Sequence, residues 1–104
     1  MTQAAFLTVE SADGTSIYVQ TAGLSSNPAL VCIHGFASTS FAFSKQFADA
    51  KVLERVYLVA YDVRGNGRSG LPVSEDSYRG QRHAEDFRAV CEALEIVRPV
   101  VLGW

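Results

Sequence analysis

Three uninterrupted apolar runs constrain this chain more than any other feature: residues 29–33 (Ala-Leu-Val-Cys-Ile), 56–61 (Val-Tyr-Leu-Val-Ala-Tyr) and 99–103 (Pro-Val-Val-Leu-Gly). A strand with one wet face alternates apolar and polar residues. A strand that is apolar throughout has both faces covered, as at the centre of a parallel sheet. Parallel neighbours need long crossovers, and helices usually supply them. Two helix-like stretches lie between the runs. The first spans about residues 40–50, with Phe43 and Phe47 four apart on one face. The second spans about residues 77–96, where Ala84, Phe87, Cys91 and Leu94 recur at steps of three and four. Glu85, Arg88, Glu92 and Glu95 fall on its other faces. Ser77 or Asp76 is a suitable N-cap for that helix. Pro99 cannot continue it and instead opens the last strand.

The N-terminal part reads differently. Phe6, Thr8 and Glu10 alternate with Leu7, Val9 and Ser11, which predicts a strand with one apolar face. Asp13-Gly14 supplies a tight turn, and residues 17–20 return as a second strand. The predicted fold class is α/β: an antiparallel hairpin followed by a β-α-β-α-β parallel sheet, in one domain over residues 1–104.

Composition narrows the function. A 104-residue chain of 11.3 kDa holds one small core. It is 48% hydrophobic and 19% charged, which is globular composition. Nine basic against eleven acidic residues leave a net charge of −2, which argues against a nucleic-acid partner. No apolar run approaches the roughly 18 residues of a membrane span. Met1 to Leu7 lacks the basic and apolar regions of a secretory signal. Cys32 and Cys91 each sit in apolar surroundings and read as buried free thiols. A cytoplasmic location is the expectation.

Each apolar run ends in a distinctive loop. His34-Gly35-Phe36 follows the first, Asp62-Val63-Arg64-Gly65-Asn66-Gly67-Arg68-Ser69-Gly70 the second, and Gly103-Trp104 closes the third. Ligands of open α/β sheets bind at the carboxyl ends of the strands, the edge to which all three loops belong. The combination resembles the N-terminal part of the α/β-hydrolase fold, over about residues 6–104. The resemblance implies an incomplete α/β-hydrolase fold, with the fourth strand between the second and third and the fifth on the far side of the third. It implies that Gly103 and Trp104 are the first two positions of a Gly-x-Ser-x-Gly nucleophile elbow. It makes the backbone N–H of Phe36 an oxyanion-hole donor, with His34 and Gly35 supporting that loop. Asp62, Arg64, Gly65, Gly67 and Ser69 become a structural turn whose side chains tie neighbouring loops together. The parent class is a serine hydrolase acting on an ester, acyl or carbon–carbon bond, or a relative with an aspartate nucleophile. Phe36 and Trp104 would line an apolar acyl pocket for a small ester-like substrate, with no cofactor. Nucleophile, acid and base all lie beyond residue 104 in the family's order, so the chain alone is expected to be inactive.

Other readings of the same residues exist. His34 reads as a loop-orienting histidine or as a general base. His83 could pair with Asp86 three residues on, or be ordinary helix polarity. Ser38 and Ser40 are candidate nucleophiles or caps for the first helix. Cys32 and His34 could both ligate a metal, but no further ligand pair accompanies them. Residues 65–70 match Gly-x-Gly-x-x-Gly after a buried strand, as in a dinucleotide-binding turn. Against this, Leu71-Pro72-Val73 separates the third glycine from any helix, and Glu85 and Asp86 fall inside one. The last strand, as an apolar edge, could also pair with another chain, which would make the protein a binding module or self-associating.

Overall fold

The computed structural model of the protein describes residues 4–104. Among them five strands form one sheet: β1 (Ala4–Glu10), β2 (Ser16–Ala22), β3 (Ala29–Ile33), β4 (Tyr57–Tyr61) and β5 (Val100–Gly103). Their order across the sheet is β1-β2-β4-β3-β5. β1 and β2 are antiparallel, as are β2 and β4, whereas β4, β3 and β5 run parallel. The hairpin and the parallel strands both match the sequence reading.

The hairpin turn forms at Asp13-Gly14. Ser11 N–H donates to the Thr15 carbonyl at 2.9 Å, and the Asp13 carboxylate accepts the Thr15 N–H at 3.1 Å. Gly14 takes a φ of 86°, which a side chain would resist. Register sets Val9 opposite Ile17 and Leu7 opposite Val19, so the apolar face of β1 points into the core.

β4 shows why a run can be apolar throughout. All five residues are buried. Tyr57, Val59 and Tyr61 enter a core with Val9, Ile17, Val19, Val31 and Val90. Leu58 and Ala60 enter a second core with Ala22, Cys32, Phe43 and Leu53 on the opposite face. Alternate side chains of one strand therefore feed two hydrophobic layers.

β5 divides the two readings of its run. Its unbroken apolarity implied two covered faces, yet all four residues are exposed, Val100 by 65% and Leu102 by 43%. The family order that made it an apolar edge strand holds: among the described residues β5 pairs with β3 alone, and the long helix packs over β1 and β2 at the other end of the sheet.

The helices also differ from the periodicity. In place of one helix over 40–50 stand a 3-10 turn (Ser40–Phe43) and two single turns, α1 (Ser44–Phe47) and α2 (Ala50–Leu53). Local caps break the segment. Thr39 Oγ1 accepts the Phe41 N–H at 3.2 Å, and Asp49 Oδ1 accepts the Lys51 and Val52 amides at 2.9 and 3.4 Å. Short polar side chains compete in this way with helix continuation. Ser38 and Ser40 are thus not the caps; Thr39 is.

The second helix, α3, runs Gly80–Ala93, after a 3-10 turn at Glu75–Tyr78. Arg79 occupies its N-cap position, not Ser77 or Asp76. Its inward face is centred on Asp86 and Val90, and Ala84 is exposed. Of the expected apolar stripe, Phe87 and Leu94 pack against the core, and Asp86, buried beside them, has a partner described below. α3 ends with Ile96 N–H donating to the Cys91 carbonyl at 2.8 Å across Glu95, whose φ is 56°. That left-handed position favours glycine. Glu95→Gly is expected to stabilise the fold by about 0.5–1 kcal/mol, read as a rise in the thermal midpoint by circular dichroism. Among the described residues, no helix is long and apolar enough to cross a membrane.

Candidate functional site

The three loops at the carboxyl ends of β3, β4 and β5 come together. Trp104 N–H donates to the Ile33 carbonyl at 3.0 Å. A Cβ on Gly35 would lie 2.7 Å from the Trp104 carbonyl oxygen, so glycine alone allows this approach. The His34-Gly35-Phe36 loop and Gly103-Trp104 are therefore adjacent.

His34 is buried, and both ring nitrogens are engaged. Nε2 accepts the Val63 N–H at 2.9 Å, which leaves Nδ1–H to donate to the Gly35 carbonyl at 2.8 Å. Proton abstraction at Nε2 would break the bond to Val63, so this geometry makes His34 a bracket between two loops. Beyond it the backbone turns sharply, with Ala37 at a φ of 56°. Among the described residues the Phe36 N–H has no backbone acceptor. The Phe36 side chain is fully exposed. Together with His34, Val63, Asn66, Tyr78 and His83 it lines an open cleft of about 530 Å³. Trp104 does not line this cleft and is itself exposed, so the pair does not form the apolar pocket expected of it.

The loop after β4 is held from within. Asp62 is buried and accepts two amides, Ser40 N–H on Oδ1 at 2.7 Å and Arg68 N–H on Oδ2 at 2.9 Å. Ser69 Oγ donates to the Asp62 carbonyl and accepts the Tyr18 N–H at 2.9 Å. Gly67 has a φ of 52°, and a Cβ there would run into the Asp62 carboxylate. Gly65 has a φ of 83°, and a Cβ there would lie 2.8 Å from the Tyr78 ring.

Arg64 is the largest fully buried side chain. Its Nε and one terminal nitrogen donate to the two Asp86 oxygens at 2.8 and 2.7 Å. Its terminal nitrogens also reach both Asp13 oxygens at 2.9 and 3.1 Å and the Ser77 carbonyl at 2.7 Å. One side chain thus ties the β1–β2 turn, the loop after β4 and α3 together. Hydrogen bonding to Asp86, then to Asp13, raises the Arg64 pKa, and the bond from Arg64 holds the Asp13 carboxyl well below the usual range. The sequence reading missed both partners. The available signal was Asp86 itself, a carboxylate four residues before Val90 on the inward helix face.

Other candidates are not assembled. Asp86 is committed to Arg64, and no bond joins it to His83. Ser40 contributes its buried amide to Asp62. The glycine-rich loop does not present free amides as a phosphate cradle would: Gly65, Asn66, Arg68, Ser69 and Gly70 N–H groups all have acceptors within the protein. No helix opens at Gly70, the next beginning at Gly80. No group of three potential metal ligands occurs among the described residues. Cys32 and Cys91 are free, the former buried and the latter half-buried. Burial pushes the Cys32 thiol up to about 11.

A family model described as the alpha/beta hydrolase fold matches residues 28–104. The chain belongs to the alpha/beta hydrolase family. This member of the family is 35% identical over 92 residues to EphD of Mycobacterium tuberculosis, a protein assigned as an oxidoreductase, covering 88% of the chain and 15% of the relative. It is 31% identical over 91 residues to an epoxide hydrolase of Caballeronia sordidicola, covering 88% of the chain and 27% of the relative. Among solved structures, a Burkholderia cenocepacia protein assigned as an aryl esterase superposes with a TM-score of 0.90 at 36% identity. That match covers 96% of this chain and 37% of the other. The chain therefore spans less than a third of the curated relatives' length.

Proposed function

We propose that residues 34–36, set against the end of β5, are the oxyanion side of a hydrolase site, and that a protein containing them cleaves an ester or an epoxide. The observation that carries this reading is the Phe36 amide, which has no backbone acceptor among the described residues and sits in a loop fixed on both sides. A fixed N–H aimed at developing negative charge needs no reorganisation during the reaction. His34 positions that loop, and Asp62, Arg64 and Ser69 hold the neighbouring one. Ester cleavage is supported by the aryl-esterase assignment of the Burkholderia structure, and epoxide opening by the Caballeronia relative.

Residues 1–104 contain no Gly-x-Ser-x-Gly elbow. Alone they supply one side of the site without the attacking group, and no hydrolysis of p-nitrophenyl acetate or styrene oxide above background is expected. The positive test is a chimera that joins residues 1–104 to the remainder of the Caballeronia epoxide hydrolase. A folded chimera should open styrene oxide. Phe36→Pro, which deletes the N–H, should lower kcat about a hundredfold, whereas Phe36→Ala, which keeps it, should not. Equal activity of the two variants would overturn the oxyanion role.

A further inference from the structure

A second cleft lies on the other side of the loop after β4 and shares no lining residue with the cleft at Phe36. Its volume is about 570 Å³, within the range of small-molecule sites. One wall is aromatic: Phe6 of β1 and Tyr18 of β2 stack with centroids 5.8 Å apart and planes 19° from parallel. Phe41 and Phe47, from the 3-10 turn and α1, also line it. Phe41 is 76% exposed and presents its ring to the cleft's open side.

The polar content is equally specific. Arg68 stands over the Tyr18 ring, 5.2 Å from its centroid, and donates to the Tyr18 hydroxyl at 3.0 Å. Among the described residues it has no carboxylate partner. Asp62, the acidic residue of the lining, is buried and already accepts the Ser40 and Arg68 amides. The cleft therefore offers stacked rings beside one uncompensated, oriented guanidinium. A ring cannot neutralise a cation as a carboxylate does, and a guanidinium fork matches a carboxylate in two-point geometry.

We propose that this cleft binds an aromatic monocarboxylate, the ring lying against Phe6, Tyr18 and Phe41 and the carboxylate paired with Arg68. Its lining shares no residue with the cleft of the proposed hydrolase site.

The test is a titration of the 104-residue chain, labelled with ¹⁵N, with 3-phenylpropionate and with its neutral amide. The expected result is saturable shift changes at the Gln20 side-chain amide and the Phe41 and Arg68 backbone amides. The neutral amide should bind about tenfold more weakly, as loss of a charge-assisted bond implies. Arg68→Met should weaken 3-phenylpropionate to the level of the amide while leaving the rest of the spectrum in place, since Arg68 is an exposed side chain. Phe41→Ala should weaken both compounds alike. The proposal is overturned if no shifts saturate, if acid and amide bind equally, if Arg68→Met binds the acid as well as the parent does, or if the shifts cluster at Phe36 and His83.

Discussion

Arg64→Ala is expected to destabilise the protein by about 3–5 kcal/mol, because it strands two carboxylates that the guanidinium now holds. Asp86 is the more costly of the two, since its side chain is 1% exposed against 19% for Asp13. Small domains have only about 5–15 kcal/mol in total, so the variant should lose much of its cooperative transition in urea. Arg64→Met separates causes. It keeps the packing of the stem but strands the same carboxylates, and should be nearly as damaging. The double change Arg64→Met with Asp86→Leu removes the stranded charge and should recover part of the loss; no recovery would place the effect in packing alone. The same contact makes a statement about acid. The folded Asp13 pKa is depressed, so its contribution is fully present above the ordinary carboxylate pKa of about 3.9 and fades as pH falls below it. Asp13→Asn should therefore flatten the stability curve below about pH 4, measured by urea midpoints across pH.

Asp62→Ala comes second, at about 3 kcal/mol. Its carboxylate accepts the Ser40 and Arg68 amides, and removal leaves the buried Ser40 N–H and the partly buried Arg68 N–H without their partner. Asp62→Asn is a sharper probe. The amide offers one acceptor and one donor, so one of the two N–H groups would face another N–H. It should fall between wild type and Ala in thermal midpoint. Loss of Asp62 also frees the start of the 3-10 turn that follows Phe36. The Phe36 and Ala37 amides should then broaden or shift in ¹⁵N spectra, a response that a purely local defect at Arg68 would not give.

Much of the architecture was legible because backbone pairing leaves a strong trace in side-chain pattern. The buried β4 run could hardly be anything else, since each of its five residues has a core to enter. The Asp13-Gly14 turn was equally plain, as a φ of 86° at residue 14 calls for glycine. β5 shows the limit of the same rule. Its composition is that of a covered strand, but coverage depends on neighbours, which composition does not contain. The segment after β3 misled for a different reason. Phe43 and Phe47 carry a helical spacing, while Thr39 and Asp49 carry capping chemistry, and the caps prevail in so short a stretch.

The candidate site was legible as a set of loops and not as a network. Phe36, His34 and the end of β5 could be placed together from the family resemblance. That His34 uses Nε2 to grip Val63, or that Arg64 joins residues 51 positions before and 22 positions after itself in four bonds, has no local signature. Buried polar contacts of that separation depend on three-dimensional proximity alone.

The strand order has a consequence for how such a chain is made. β2 and β3 follow one another in sequence, yet β4 lies between them and bonds to both. While the polypeptide leaves the ribosome, the hairpin and β3 have nothing to join them until residue 61 emerges. Without β4 the hairpin and β3 share no pairing, so every hydrogen bond that joins the two ends of the sheet runs through this one strand.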